Sequence, residues 1–134
     1  MALLLISHDL DLVATSVEQV NVMYAGQVVE TGPTAEVFSH LAHPYTRGLH
    51  GARPRIGLSR GRPLATIAGR VPEPTALPPG CSFSSRCAWA LPACQQTFPT
   101  LDPAPGASAG PLHTVRCLRA AEVAGAAAPP AQPA

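Results

Sequence analysis

Four cysteines, Cys81, Cys87, Cys94 and Cys117, are the residues of this chain whose type and spacing best suit chemistry. Five residues separate Cys81 from Cys87, six separate Cys87 from Cys94, and twenty-two separate Cys94 from Cys117. Structural zinc favours cysteines paired two to four residues apart, and no pair here is that close. Thiolates spread this widely over proline-rich loops suit a larger shared object, and a [4Fe–4S] cluster takes four cysteines. Zinc on the same four residues is one alternative, and unligated or disulfide-linked cysteines are another. Arg86 and Arg116 each stand beside a cysteine, where a guanidinium would offset thiolate charge. His113 is a candidate substitute ligand, although a solvated loop histidine is the plainer reading.

His8 is the second candidate. The run Leu3-Leu4-Leu5-Ile6 stops at Ser7-His8-Asp9. A continuous apolar run of this kind reads as a strand buried on both faces. Its polar carboxyl end is where ligands bind in open α/β sheets, which places His8 at a ligand-contacting position. Such a strand needs neighbours, and only two residues precede it in this sequence.

The elements that would position these residues follow in order. Asp9 can cap a helix from Leu10 to about Glu18, with Leu10, Val13, Ala14 and Val17 at helical spacing. Val20–Tyr24 and Gln27–Glu30 flank Ala25-Gly26 and read as a tight β-hairpin. The strand–helix–strand step before the hairpin predicts a right-handed parallel crossover. Pro33 suits the first position of a second helix, with Val37, Phe38 and Leu41 on its apolar face. His43-Pro44 is expected to end that helix, and Pro44–Leu49 to form one more helical turn. Residues 51–63 read as a linker and Leu64–Ile67 as a brief strand. His40 and His50 carry no signal above that of surface residues.

Composition narrows the classes. The formal net charge is +1, so nothing favours nucleic acid or an anionic membrane surface. All nine basic residues are arginine, and 16 prolines limit regular structure in the second half. The apolar run at residues 2–6 is far too short to span a bilayer and lacks the basic start of a signal peptide. A cytosolic location is the default, and it disfavours disulfides.

Leu5-Ile6-Ser7-His8-Asp9-Leu10 resembles the switch-histidine segment of ABC-transporter ATPase domains. Val22 to Gly32 is similar to the hairpin that follows it there. Ala35-Glu36-Val37-Phe38 and His43-Pro44-Tyr45-Thr46-Arg47-Gly48-Leu49 resemble the ATP-binding subunits of dipeptide and oligopeptide permeases. Leu64, Ile67, Gly69, Val71-Pro72, Gly80-Cys81-Ser82-Phe83, Arg86-Cys87, Cys94, Pro99 and Cys117 continue that likeness, which covers roughly residues 2–119. The resemblance implies that His8 lies near the γ-phosphate of ATP in a complete protein. There it would position the attacking water and sense the nucleotide. It also implies a [4Fe–4S] cluster on Cys81, Cys87, Cys94 and Cys117, and a packing junction at His43, Pro44, Tyr45 and Arg47. The implied partners are membrane permease subunits and a second ATPase subunit, at the cytoplasmic face of the cell membrane.

The phosphate-cradling loop G-x-x-x-x-G-K-[ST] does not occur here, and the chain has no lysine to supply it. The signature motif and the acidic Walker B strand are missing as well. The expectation is therefore the carboxyl-terminal third of a peptide-import ATPase, from a truncated frame, a split gene or an incomplete sequence. Such a chain has no ATPase activity alone. The other readings are a stand-alone metal-binding or regulatory module and a non-functional remnant. The expected fold is an α/β fragment of an ABC-type ATPase domain over residues 1–52. A linker and short strand follow at 53–70, then a loop-rich four-cysteine extension at 71–119 and a disordered Ala/Pro tail at 120–134.

Overall fold

The computed structural model describes residues 3–53, 66–108 and 112–127. Asp9 caps the first helix as its type predicts. Its side chain accepts the backbone N–H groups of Asp11 and Leu12, and α1 runs from Leu10 to Ser16. Two strands follow, β1 (Gln19–Tyr24) and β2 (Gln27–Pro33), paired antiparallel. Both turn residues, Ala25 and Gly26, adopt positive φ, 48° and 77°. That is the turn whose twist matches the flanking strands, so the predicted hairpin forms. Val22 and Tyr24 are buried while Asn21 and Met23 face outward, the two-residue alternation of a sheet covered on one side. A bulge opposite Val22 and Met23 sets Val29 out of register and turns the strand toward the core.

The next elements begin at prolines. Pro33 stands just before α2 (Thr34–His40), one position earlier than its type predicts. The helix ends where Leu41 turns left-handed, at φ 46°. His43 and Pro44 do not stop α2; they start α3 (Pro44–Gly51). His43 caps it by accepting the Tyr45 N–H on Nδ1 at 3.0 Å, and Pro44 takes the first turn, where its missing N–H costs nothing.

The extension supplies a 3₁₀ turn at Ser84–Arg86, then α4 (Pro92–Gln96), β3 (Asp102–Pro103), β4 (Thr114–Val115) and α5 (Ala120–Gly125). The sheet order is β1-β2-β4-β3, and every pairing is antiparallel. One sheet thus joins the hairpin to the extension.

Three expectations need correction. Leu3–Ile6 is not a strand, and no parallel crossover exists among the described residues. Leu4 and Ile6 are 87% and 90% exposed, because nothing described here pairs with the segment on either side. The tail is not irregular from its start. Ala120 and Val123 are buried on one face of α5, because a stretch of alanine can still pack a helix against a small-residue core. The brief strand expected at Leu64–Ile67 falls half outside the described residues. Leu64 and Ala65, like most of the 51–63 linker and residues 128–134, lie outside the described residues, whereas Ile67 packs onto Gly48 of α3.

The main core gathers Val22, Tyr24, Val29, Val37 and Phe83, so it too spans both halves of the sequence. Tyr24 meets Tyr45 and Phe83 edge to face and Tyr45 lies tilted against Phe83, with ring centres 4.8 to 5.5 Å apart. The His-Pro-Tyr element is thus a packing junction between hairpin and extension. Arg86 closes this side, donating to the carbonyls of Ile67 and Ala68 and to the Tyr24 hydroxyl.

Candidate functional site

The four cysteines meet. Cys81 precedes the 3₁₀ turn, Cys87 follows it, Cys94 lies within α4 and Cys117 follows β4. All four line one cavity of about 20 Å³, together with His43, Trp89 and Arg119. Gly80 makes the approach possible. A Cβ there would lie 2.6 Å from the Gln95 carbonyl carbon, so only glycine lets the segment before Cys81 lie against α4. The Cys81 N–H then donates to the Cys94 carbonyl at 2.8 Å.

Each sulfur faces a backbone N–H. Phe83 and Ser84 serve Cys81, and Trp89 serves Cys87. Arg119 donates to Cys117 at 3.4 Å, and Leu91 to Cys94 at 3.5 Å. In three of the four, the donor sits two residues after the cysteine. An N–H held toward sulfur favours the thiolate, the form that binds metal.

Burial opposes it. Cys87 is pushed up to about 11 and Cys117 to about 12, chiefly by desolvation, with the other thiols adding to the rise. Cys81 is raised for the same reason. The four carry no disulfide; Cys94 is buried and Cys81, Cys87 and Cys117 are half-buried. No three His, Cys, Asp or Glu side chains among the described residues converge as an ion's ligands.

Two sequence expectations about charge are corrected. Arg86 and Arg116 do not line the cavity; they are engaged elsewhere. Arg116 donates to the carbonyls of Val28 and Pro99 and lies 5.1 Å from the Phe98 ring centre. Arg119 takes the expected role, lowering the Cys87 thiol somewhat while donating to the Trp89 carbonyl at 2.9 Å.

A buried carboxylate node lies beside the cavity. Glu30 of β2 has no exposed surface. Its Oε1 accepts the Ala42 N–H at 2.8 Å and pairs with His113 Nε2 at 2.8 Å, and its Oε2 accepts the His43 N–H at 3.0 Å. His113 is therefore neither a solvated loop residue nor a cavity residue; it is wholly buried and ties the extension to β2. Gly32 admits this contact, with a Cβ there meeting the His113 Cα at 3.0 Å. His43 is buried as well. Desolvation pushes its ring down to about 4, with Glu30 and the Arg116 backbone pulling the other way. Its Nε2 makes no hydrogen bond of proper geometry. His40, exposed in the sequence reading, is half-buried between Glu36 and the Gly106 carbonyl.

His8 stands apart from all of this, exposed at the bend before α1. The Glu30 node escaped sequence reading, because one acid in a strand of valines and threonine shows nothing of its partners. The remaining hint was a charge at a position whose strand neighbours are apolar.

Residues 29–94 match the family described as the oligopeptide/dipeptide transporter, C-terminal region. The stretch from β2 to α4 is thus similar to that family. A peptide import ATP-binding protein of Brucella ovis is 43% identical over 129 residues, covering 92% of this chain and 37% of that protein. A second, from Brucella abortus, is 46% identical over 101 residues, covering 75% of this chain and 30% of that protein. The chain thus spans about a third of the length of these curated relatives. No helix among the described residues is long and apolar enough to cross a membrane.

Proposed function

We propose that this chain is the carboxyl-terminal part of a peptide importer's ATP-binding subunit, and that its extension holds a [4Fe–4S] cluster on Cys81, Cys87, Cys94 and Cys117. The observation that carries the cluster is one cavity ringed by four thiols, each met by a backbone N–H. The donor set is all sulfur and suits iron–sulfur ligation. In an extension with so little helix and strand, such a centre would stand in for a core. When bound, the cluster would supply a rigid link among the turn, α4 and the segment after β4. The chain's own residues hold the sulfurs apart, shield them with Trp89 and place the Arg119 charge alongside.

In the complete subunit, His8 would meet the γ-phosphate of ATP, with Mg²⁺ and the phosphate loop supplied by other parts of the protein. The partners would be membrane permease subunits and a second ATPase subunit, at the cytoplasmic face. The chain alone has no ATPase activity on this reading, and turnover above that of a His8→Ala control would contradict it.

Anaerobic reconstitution with iron and sulfide tests the cluster. Four irons and four sulfides per brown chain support it. A colourless chain holding one zinc overturns it.

A further inference from the structure

The residues beside the cysteines hold one element in common. Ser82, next to Cys81, is buried, and its hydroxyl donates to the Gln27 side-chain oxygen at 2.8 Å. Phe83, one residue on, meets the Tyr24 ring edge to face, 5.1 Å between centres. Arg86, next to Cys87, donates to the Tyr24 hydroxyl at 3.3 Å. Its guanidinium carbon lies 5.8 Å from the centre of the same ring. Arg116, next to Cys117, donates its backbone N–H to the Val29 carbonyl at 2.8 Å and its Nε–H to the Val28 carbonyl at 3.0 Å. Cys94 joins through its carbonyl, which accepts the Cys81 N–H at 2.8 Å. The residues held, Tyr24, Gln27, Val28 and Val29, are the strand ends on either side of the Ala25-Gly26 turn. The cysteines themselves are seated on two cores. Cys81 and Cys87 pack on the one that contains Val22, Tyr24 and Val29, and Cys117 on the one around Val115 and Ala120.

We propose that the cysteine centre and the tip of the β1–β2 hairpin are coupled sites: a group bound by the four sulfurs seats the hairpin tip through Ser82, Arg86 and Arg116. This rests on the reading of the four cysteines as ligands of one iron–sulfur group. Holding the sulfurs together fixes Ser82, Arg86 and Arg116 relative to one another, and the hairpin tip with them. A bound group stabilises the state it binds, so local opening of that state becomes rarer. Coupling of this kind runs both ways. A hairpin tip that loses a contact therefore also loosens the hold on the group.

Hydrogen exchange read by mass spectrometry tests this on the full chain, metal-free and after anaerobic reconstitution with iron and sulfide. Iron content is measured first. In loaded wild type, the amides of β1 and β2 nearest the turn should exchange about tenfold more slowly than in the metal-free chain, within the usual range of coupling between sites. Two substitutions then separate coupling from plain stability. Ser82→Ala removes the donor to Gln27, and Arg116→Met removes the donor to Val28 while keeping the apolar stem. If these residues only add stability, hairpin exchange quickens equally in both forms and the difference between them stays. Coupling makes that difference shrink, and iron passes to a chelator faster from both variants than from wild type. Loaded wild type whose hairpin exchanges as fast as the metal-free chain overturns the inference and leaves the cluster reading standing. An undiminished difference in both variants overturns it as well. A wild-type chain that takes up no iron overturns both, and the iron assay shows this before any exchange is measured. The comparison of the two wild-type forms needs no variant, so it holds even where a variant does not fold.

Discussion

Replacing Glu30 by glutamine changes one atom and leaves the shape intact. Glu30 serves three donors, two on Oε1 and one on Oε2. An amide has a single acceptor oxygen. If that oxygen keeps Ala42 and His113, the amide NH₂ confronts the His43 N–H. If it keeps His43 instead, the NH₂ faces Ala42 and His113. At best one hydrogen bond to a charged group is lost, worth about 1.5–3 kcal/mol, and one buried donor is stranded, at a cost of about 1–3 kcal/mol. The two overlap, so Glu30→Gln should destabilise by about 2–4 kcal/mol. For a chain of this size, that lowers the melting temperature by roughly 10 °C. Thermal unfolding followed by far-ultraviolet circular dichroism reads it directly. A Glu30→Gln melt within about 2 °C of wild type would refute the assignment of this carboxylate as the joint between β2, α3 and the extension.

The remaining predictions concern titration, packing and the exposed amino-terminal run. The folded His43 pKa, about 4, lies below its unfolded value of 6.5, so the folded state favours the neutral ring. Its stabilisation is complete above pH 6.5 and is lost as pH falls toward 4. This amounts to about 3 kcal/mol, and chemical denaturation across that window should show the slope diminished in His43→Asn. For Cys87 and Cys117 the shift runs upward from 9.0, to about 11 and about 12. Metal-free stability should be complete below pH 9 and fall as pH rises through those values. Iron uptake, which displaces the same protons, should quicken between pH 7 and 9 when followed by visible absorbance. Gly80→Ala forces a Cβ onto the α4 backbone, so it should cost about 1–3 kcal/mol and reduce iron loading well below wild type. Leu4→Glu with Ile6→Glu should leave the melt within about 0.5 kcal/mol of wild type, since both side chains already face solvent.

Local chemistry was the legible part of this chain. Asp9 as a cap, Ala25-Gly26 as a turn and the starts of α1 and the hairpin follow from residue types acting on their own neighbours. The four cysteines, singled out by type and spacing, do line one cavity. What escaped was long-range pairing. β4 has only two residues, Thr114 and Val115, and nothing about them announces a partner at Glu30 and Thr31. The parallel crossover failed for a related reason. An apolar run at residues 3–6 reads as buried only if something lies beside it, and pattern alone carries no information about neighbours. His113 was misjudged because a histidine among prolines and glycines looks solvated until its carboxylate partner, 83 residues away in sequence, is placed. Arg119 was missed because the sequence drew attention to arginines adjacent to cysteines. The one at the cavity acts across space and through its own backbone N–H.

The pairing of β2 with β4 also sets a timetable for synthesis. Glu30 meets Val115, which emerges 85 residues later. At a translation rate of about 5–20 residues per second, the open edge of β2 waits roughly 4–17 s for its partner. Cys81, Cys87 and Cys94 are exposed for part of that wait, without Cys117. The strand that closes the sheet also delivers the fourth thiol, two residues after Val115. Completing the cysteine ring and completing the sheet are thus a single late event in the life of the nascent chain. If the proposed cluster forms there, metal that arrives earlier would meet only three of the four sulfurs.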